Sequence, residues 1–310
     1  MEKKLHFRED GTFRILQLTD IHYTEDDERD HRTVALMRDL IRREQPDFIV
    51  TTGDTIYGEK NLEYLPLALA PLTESKIPWT FTFGNHDVEF AGNREELFAA
   101  VRRLPGCMAY HDPASLDGMG NHTIGIEDGE GRVRWLIFGM DSGDYNPLKQ
   151  VGGYGFVTHN QIHWYQDQIR RQEQQGEDFG VLIFQHMALP EYAEVFRYET
   201  CYGTRREGFG CPSINTGFFA AMVQAGHNPS MFVGHDHVND FYGKLYGVTL
   251  GYGRATGYGT YGAQDFARGG RVFVLNQEDA SSYTTYVSME GGIVVDDPWR
   301  YEPLEKRAEG

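Results

Sequence analysis

The sequence predicts an α/β (α+β) protein in which two packed mixed β-sheets are flanked by helices, and three observations predict it. In the first third, short apolar runs that stop abruptly at polar residues alternate with stretches of helical spacing, the order strand, helix, strand, helix, strand that builds a parallel sheet. Beyond residue 237, short alternating segments separated by Gly or Asn read as antiparallel hairpins. The composition, 36 Gly beside 18 Tyr and 19 Phe in 310 residues of which 40% are apolar, supplies tight turns and a sizeable core rather than a helical bundle.

Each element follows from its own pattern. Residues 13–19 (FRILQLT) run apolar up to Asp20, residues 46–52 (PDFIVTT) up to Gly53 and Asp54, and residues 78–83 (PWTFTF) up to Gly84, Asn85 and His86. Buried runs bounded by turn residues are central strands. Between them, residues 30–45 place Val34, Leu36, Met37, Leu40 and Ile41 at helical spacing, and residues 61–75 form a second helix. The second half repeats the habit: a strand over 132–140 ending at Asp141, a helix over 158–174, a strand over 180–185 ending at His186, and a strand over 230–233 ending at Gly234 and His235. Residues 238–242, 246–250, 271–276 and 282–289 complete the hairpins. With no internal repeat and no linker, residues 1–290 are expected to form one domain and 291–310 a loosely held tail.

Charge and cysteine content narrow the function. Lys and Arg number 29 against 46 Asp and Glu, a net charge of −17, which repels phosphate backbones and argues against a long nucleic-acid partner. Cys107, Cys201 and Cys211 are too few for a disulfide framework; Cys201 and Cys211 could pair, but free thiols in a reducing cytoplasm fit better. No signal-peptide-like apolar stretch follows Met1–Asp10 and no 18 apolar residues run together, so no membrane association is expected.

Open α/β sheets place ligands at the carboxyl ends of their strands, and five strand ends here carry metal-binding side chains. They are Asp20 and His22 (TDIH), Asp54 (TGDT), Asn85, His86 and Asp87 (GNHD), His186 (FQHM), and His235 with His237 (GHDH). Carboxylate and imidazole together suit Zn, Fe, Mn or Ni, and an Asn oxygen adds a neutral ligand. Taken singly each has an ordinary reading: His186 as a core histidine, GNHD as a turn, Asp54 as a helix cap.

The ordered series D-x-H, G-D, G-N-H-D, a lone His after an apolar strand, and G-H-x-H resembles the calcineurin-like metallophosphoesterase family over roughly residues 13–250. The resemblance implies a four-layer α/β/β/α sandwich holding two divalent or mixed-valence ions (Mn, Fe, Zn or Ni). One ion would take Asp20, His22, Asp54 and His237; the other would take Asp54 as a bridge with Asn85, His186 and His235. Two ions about 3.5–4 Å apart need a shared carboxylate, and together they deprotonate a bridging water for in-line attack on phosphorus. The resemblance gives His86 proton transfer or contact with the phosphate. The wording LTDIH and TGDTIYG is closest to phosphatases similar to both yeast Dcr2 and purple acid phosphatases.

Tyr57, three residues after Asp54, matches the spacing at which purple acid phosphatases place a tyrosinate on ferric iron; with His22 present, a Tyr beside the ligands is preferred. In protein-phosphatase relatives an Asp stands at that spacing and orients the catalytic His, so the partner of His86 stays open, with Asp87 also a supporting or alternative ligand. The Gly- and Tyr-rich stretches 143–156 and 247–262 make Tyr154 and Arg254 candidate substrate contacts, and Arg205 and Arg206 in the insertion after His186 a candidate lid. No Walker loop, nucleophile elbow or Cys-dependent phosphatase loop is present. The expected activity is hydrolysis of small phosphate esters, monoesters first; the rivals are a phosphodiesterase acting on cyclic or short nucleotides and a non-catalytic scaffold for a protein partner. Oligomeric state is left open.

Overall fold

The computed structural model describes residues 4–111, 113–175 and 178–303. In chain order the elements are β1 (Leu5–His6), β2 (Thr12–Leu18), α1 (Glu28–Glu44), β3 (Phe48–Thr52), α2 (Asn61–Ala68), α3 (Ala70–Ser75), β4 (Trp79–Thr82), α4 (Arg94–Arg103), β5 (His122–Glu127), β6 (Val133–Gly139), α5 (His159–Glu173), β7 (Gly180–Phe184), α6 (Glu191–Tyr198), β8 (Cys201–Tyr202), α7 (Phe218–Ala225), β9 (Ser230–Val233), β10 (Tyr242–Leu245), β11 (Val248–Tyr252), β12 (Gly269–Asn276), β13 (Tyr283–Met289), β14 (Val294–Val295) and β15 (Arg300–Tyr301). They form a nine-stranded sheet, ordered β1-β5-β6-β7-β9-β11-β10-β8-β15, and a six-stranded one, ordered β14-β13-β12-β2-β3-β4.

Burial makes this a sandwich of four layers. Phe13, Ile15, Phe48 and Val50 from one sheet meet Ile137, Leu182, Phe184 and Phe232 from the other. The outer face of the six-stranded sheet buries Leu16, Leu18 and Ile49 against Met37 and Leu40 of α1 and Leu97 and Phe98 of α4. The nine-stranded sheet covers its own outer face with α5, α6 and α7. Strands β2, β3 and β4 pair in parallel, as do β6, β7 and β9, so both sheets end their central strands on the same kind of polar loop.

Three expectations are corrected. The single helix over 61–75 is two: Pro71 has no N–H to continue the ladder, and the chain breaks at Leu69 (φ −94°, ψ 6°). The strand expected over 238–242 starts only at Tyr242, because the preceding backbone is bound elsewhere: Val238 N–H donates to Glu207 Oε1 (2.8 Å), Asn239 N–H to Asp236 O (3.4 Å) and Asp240 N–H to Thr204 O (2.9 Å). The tail is not loose over its described part, since Val294 and Val295 pair with β13, Arg300 and Tyr301 pair with β8, and Tyr301 stacks on Phe196 at 4.4 Å. Residues 304–310 lie outside the described residues.

His122 ties the two sheets together. Its Nδ1–H donates to Gly120 O (2.7 Å), so Nε2 accepts the hydroxyl of Thr80 on β4 (2.6 Å), and burial pulls its pKa to about 4. A depressed folded value means that the unfolded chain, but not the native one, takes up a proton as pH falls through 6.5. The contribution of this residue is therefore intact at neutral pH and lost toward pH 4. Between pH 7 and pH 5 the loss is about 2 kcal/mol. Urea unfolding at the two pH values checks it: His122→Gln should show a pH dependence smaller by that amount, and equal dependences would refute it.

Candidate metal centre

The loops after β2, β3, β4, β7 and β9 converge where the carboxyl ends of the two sheets meet. The backbone is bent hard to bring them there. Asp20 (φ 52°), His22 (φ 45°), Asp54 (φ 51°) and His235 (φ 73°) are four of the ten non-glycine residues with left-handed φ among the described residues, and such strain persists where the surroundings fix it and function needs it. Two glycines of the motifs are demanded by contact: a Cβ on Gly84 would lie 2.0 Å from Asp54 Oδ1, and one on Gly234 1.9 Å from Thr19 Oγ1.

Two groups of donors result, sharing Asp54. Asp20, His22, Asp54 and His237 have ligand atoms within 4.8 Å of one another, as do Asp54, His186 and His235, so each group could hold one metal ion. Asp54 Oδ2 lies 3.4 Å from His22 Nε2 and 3.2 Å from His186 Nε2. His22 Nε2 faces His237 Nε2 at 3.2 Å, and His235 Nδ1 faces His186 Nε2 at the same separation. Asp54 Oδ2 and Asn85 Oδ1 are buried with no hydrogen-bond partner. Such orphans are costly in a protein interior unless a cation meets them. Converging imidazole nitrogens, two buried carboxylates and two unpartnered oxygens fit a pair of divalent ions.

Protonation agrees with ligation. Burial pulls the imidazoles of His22 and His235 down to about 3, leaving them neutral. Burial alone would raise Asp20, but the imidazoles around it, His237 first, hold it down at about 2; Asp54, which burial would likewise raise, is held well below the usual carboxylate range by His186 and then His22. His186 departs from the pattern: desolvation opposes its charge, yet Asp54 outweighs it and lifts the imidazole to about 9. A metal ion held by Asp54 and His186 competes with that proton, so loading releases it.

Neighbouring groups fix several of the donors. His186 Nδ1–H donates to Thr52 O (2.9 Å), turning Nε2 inward, and His237 Nδ1 is bonded to the Thr260 hydroxyl (2.6 Å). Asp87 points away from the donors: its carboxylate accepts the N–H groups of Asp54 (3.1 Å), Thr55 (2.8 Å), Ile56 (3.1 Å) and Gly84 (2.7 Å), clamping two loops together. His86 donates its backbone N–H to Asp54 Oδ1 (2.9 Å), and its ring Nδ1 is bonded to Glu89, whose other oxygen accepts the hydroxyl of Tyr145 (2.7 Å). Glu89 is thus the partner of His86 that the motif spacing leaves open. Its only sequence signal is its place three residues after the histidine.

Aromatic rings form the mouth. Tyr57 stands edge-on to His22 (5.7 Å), His86 (4.8 Å) and Phe90 (5.0 Å), with no hydroxyl contact to the donors. Tyr154 stands edge-on to His235 (4.5 Å) and stacks on Tyr145 (6.4 Å). Tyr261 covers His237 at 4.3 Å. Arg254 is not part of this mouth. It is 6% exposed, with Nε donating to Ala267 O (2.7 Å) and Nη1 to Asp240 (2.5 Å), because the Gly-rich stretch that carries it turns inward after β11. Arg205 is likewise held between Phe196 and Phe209.

Comparison with known proteins agrees with this geometry. Residues 13–239 match the model of the family described as calcineurin-like phosphoesterase. The probable inactive purple acid phosphatase 29 of Arabidopsis thaliana is 33% identical over 309 residues, spanning 88% of this chain and 79% of the relative. Phosphatase DCR2 of Saccharomyces cerevisiae is 26% identical over 272 residues, 77% of this chain and 46% of that one. Among solved structures, a dimetal phosphatase from Danio rerio superposes with a TM-score of 0.61 at 15% identity, covering 92% of this chain and 98% of that one. GAP50, the anchor in the inner membrane complex of Plasmodium, gives 0.56 at 13% identity over 96% and 90%. No helix among the described residues is long and apolar enough to cross a membrane. The match over most of the chain and the paired donor groups place the protein: it belongs to the calcineurin-like phosphoesterase family and is a metal-dependent hydrolase.

Proposed function

We propose that this chain hydrolyses small phosphomonoesters at a dinuclear centre held by Asp20, His22, Asp54 and His237 on one side and Asp54, Asn85, His186 and His235 on the other. The observation that carries the reading is Asp54, whose buried Oδ2 stands between His22 Nε2 (3.4 Å) and His186 Nε2 (3.2 Å) and which is common to both donor groups. Bound ions supply an activated water and neutralise charge on the phosphoryl group. The chain's own part is to hold that group beside His86, whose ring is oriented by Glu89 toward the mouth and which donates a proton to the leaving oxygen. Tyr57, Phe90, Tyr145 and Tyr154 offer flat faces to the alcohol half of the ester. Monoesters are preferred to diesters because DCR2 of Saccharomyces cerevisiae and the dimetal protein of Danio rerio are named phosphatases. The word inactive belongs to relatives; the grouping of Asp20, His22, Asp54, His186, His235 and His237 supports a working centre in this chain. A reducing, cytoplasmic setting is supported by three unpaired cysteines.

Rates on nitrophenyl phosphate and bis-nitrophenyl phosphate, with the protein loaded in turn with Mn, Fe, Zn and Ni, test the reading. The expected result is monoester hydrolysis that chelation abolishes and metal restores, from a colourless protein in which Tyr57 does not ligate ferric iron. Activity surviving in metal-stripped protein, or less than one bound ion per chain, would overturn it, and faster diester cleavage would reassign the substrate.

A further inference from the structure

In a chain with a net charge of −17, buried cations are expected to find carboxylates one for one. At the edge of the sandwich they do not. Arg254 and Arg271 are 6% and 2% exposed, and both turn to Asp240: Arg254 Nη1 donates to its carboxylate (2.5 Å), Arg271 Nη2 to its backbone carbonyl. The other Asp240 oxygen is taken by Thr204 N–H (2.6 Å). Arg271 also donates to Tyr252 O (2.7 Å) and Thr285 Oγ1 (3.2 Å), both neutral. Of these two buried guanidiniums, only Arg254 is bonded to a carboxylate, while Arg271 is held by neutral oxygens. A third, Arg206, stands at the rim; it donates to Asp265 O (2.9 Å) and meets that residue's exposed carboxylate only at 4.0 Å. Arg206 and Arg254 both lie over the ring of Phe266, at 5.1 and 3.3 Å. Burial lowers the pKa of Arg254, Asp240 offsets part of that, and the charge of Arg206 lowers it further.

These three side chains line one cavity of about 270 Å³, walled by Phe266 and Trp299. We propose that this cavity is a second anion site, which takes a small oxyanion, inorganic phosphate or a compact carboxylate. Planar guanidiniums with free N–H edges match such oxygens in pairs, and an anion there removes the uncompensated buried charge. The volume lies just below the range of sites for drug-sized ligands, which sets the class at small ions. The site does not depend on the hydrolytic reading, since none of its residues belongs to the donor groups.

Equilibrium dialysis of radiolabelled inorganic phosphate against the metal-loaded full chain tests it. One class of bound phosphate should lose about tenfold in affinity in Arg206→Gln, an exposed change that spares the fold. The same class should weaken in Arg254→Lys if that variant folds, and be indifferent to Asp54→Asn. Phosphate at the metal centre should show the opposite dependence, which keeps the two sites apart even if hydrolysis fails. Displacement by citrate would assign carboxylates to the site; displacement by sulfate alone would assign tetrahedral oxyanions. Phosphate affinities unchanged in a folded Arg206→Gln protein would overturn the proposal.

Discussion

Asp54→Asn should lower hydrolysis of nitrophenyl phosphate by roughly 10³-fold or more while leaving the fold intact. The substitution keeps the shape of the side chain and its Oδ1, which accepts the N–H of His86 at 2.9 Å, and removes the charge of the atom common to both donor groups. An amide nitrogen in place of Oδ2 would turn its hydrogens on His22 and His186, which stand 3.4 and 3.2 Å away. Both ions are therefore affected by one change, unlike a change at Asp20 or His235, each of which belongs to a single group. Elemental analysis should find fewer than two ions per chain. A second readout is thermal: an ion that binds only the native state at a hundred times its Kd stabilises by about 2.7 kcal/mol, and the variant should lose much of the rise in Tm that metal gives the parent. Two ions and parental turnover in Asp54→Asn would refute the bridging role.

The layers of the fold could be read from sequence wherever a strand is buried on both faces. Such strands are continuous apolar runs, and the strand ends where the run meets polar residues, at Leu18 ahead of Asp20 and at Phe184 ahead of His186, although these polar residues are themselves buried. The site was legible for the same reason, because its donors are those terminating residues. What escaped were elements whose pattern is weak or whose partner is distant in sequence. Helix α7 is eight residues, apolar on most faces, and opens at Gly217 with no side-chain cap, so its composition does not separate it from a strand. Helix α4 did carry a signal, Asn93 capping the N–H of Glu96 ahead of Leu97, Phe98 and Val101. Arg254 shows the opposite limit. An arginine in a glycine- and tyrosine-rich loop after a strand end has the composition of a substrate contact, and only the turn of the backbone that aims it at Asp240 shows otherwise.

His86→Ala should lower kcat by about 10²- to 10⁴-fold with little change in metal content, the loss expected for a group that moves a proton in the transition state. The imidazole is the polar side chain between the donor groups and solvent: it lies 5.5 Å from the ring of His22 and 4.8 Å from that of Tyr57, and its backbone rather than its ring is bound to Asp54. Its ring is aimed by Glu89, which is itself held by Tyr145. Glu89→Gln keeps the shape but replaces the carboxylate that holds the His86 ring in place, so it should lower kcat by about ten- to a hundredfold and leave KM near the parental value. The effect should grow with the pKa of the leaving alcohol, since a nitrophenolate leaves without help and an alkoxide does not. Tyr145→Phe, which loosens Glu89 but does not remove it, should act in the same sense and more weakly. A structural role for Glu89 would instead depress all substrates equally and lower Tm. If alkyl and nitrophenyl phosphates lost the same factor in His86→Ala, the proton would come from elsewhere, and His86 would be left with binding the phosphoryl oxygens.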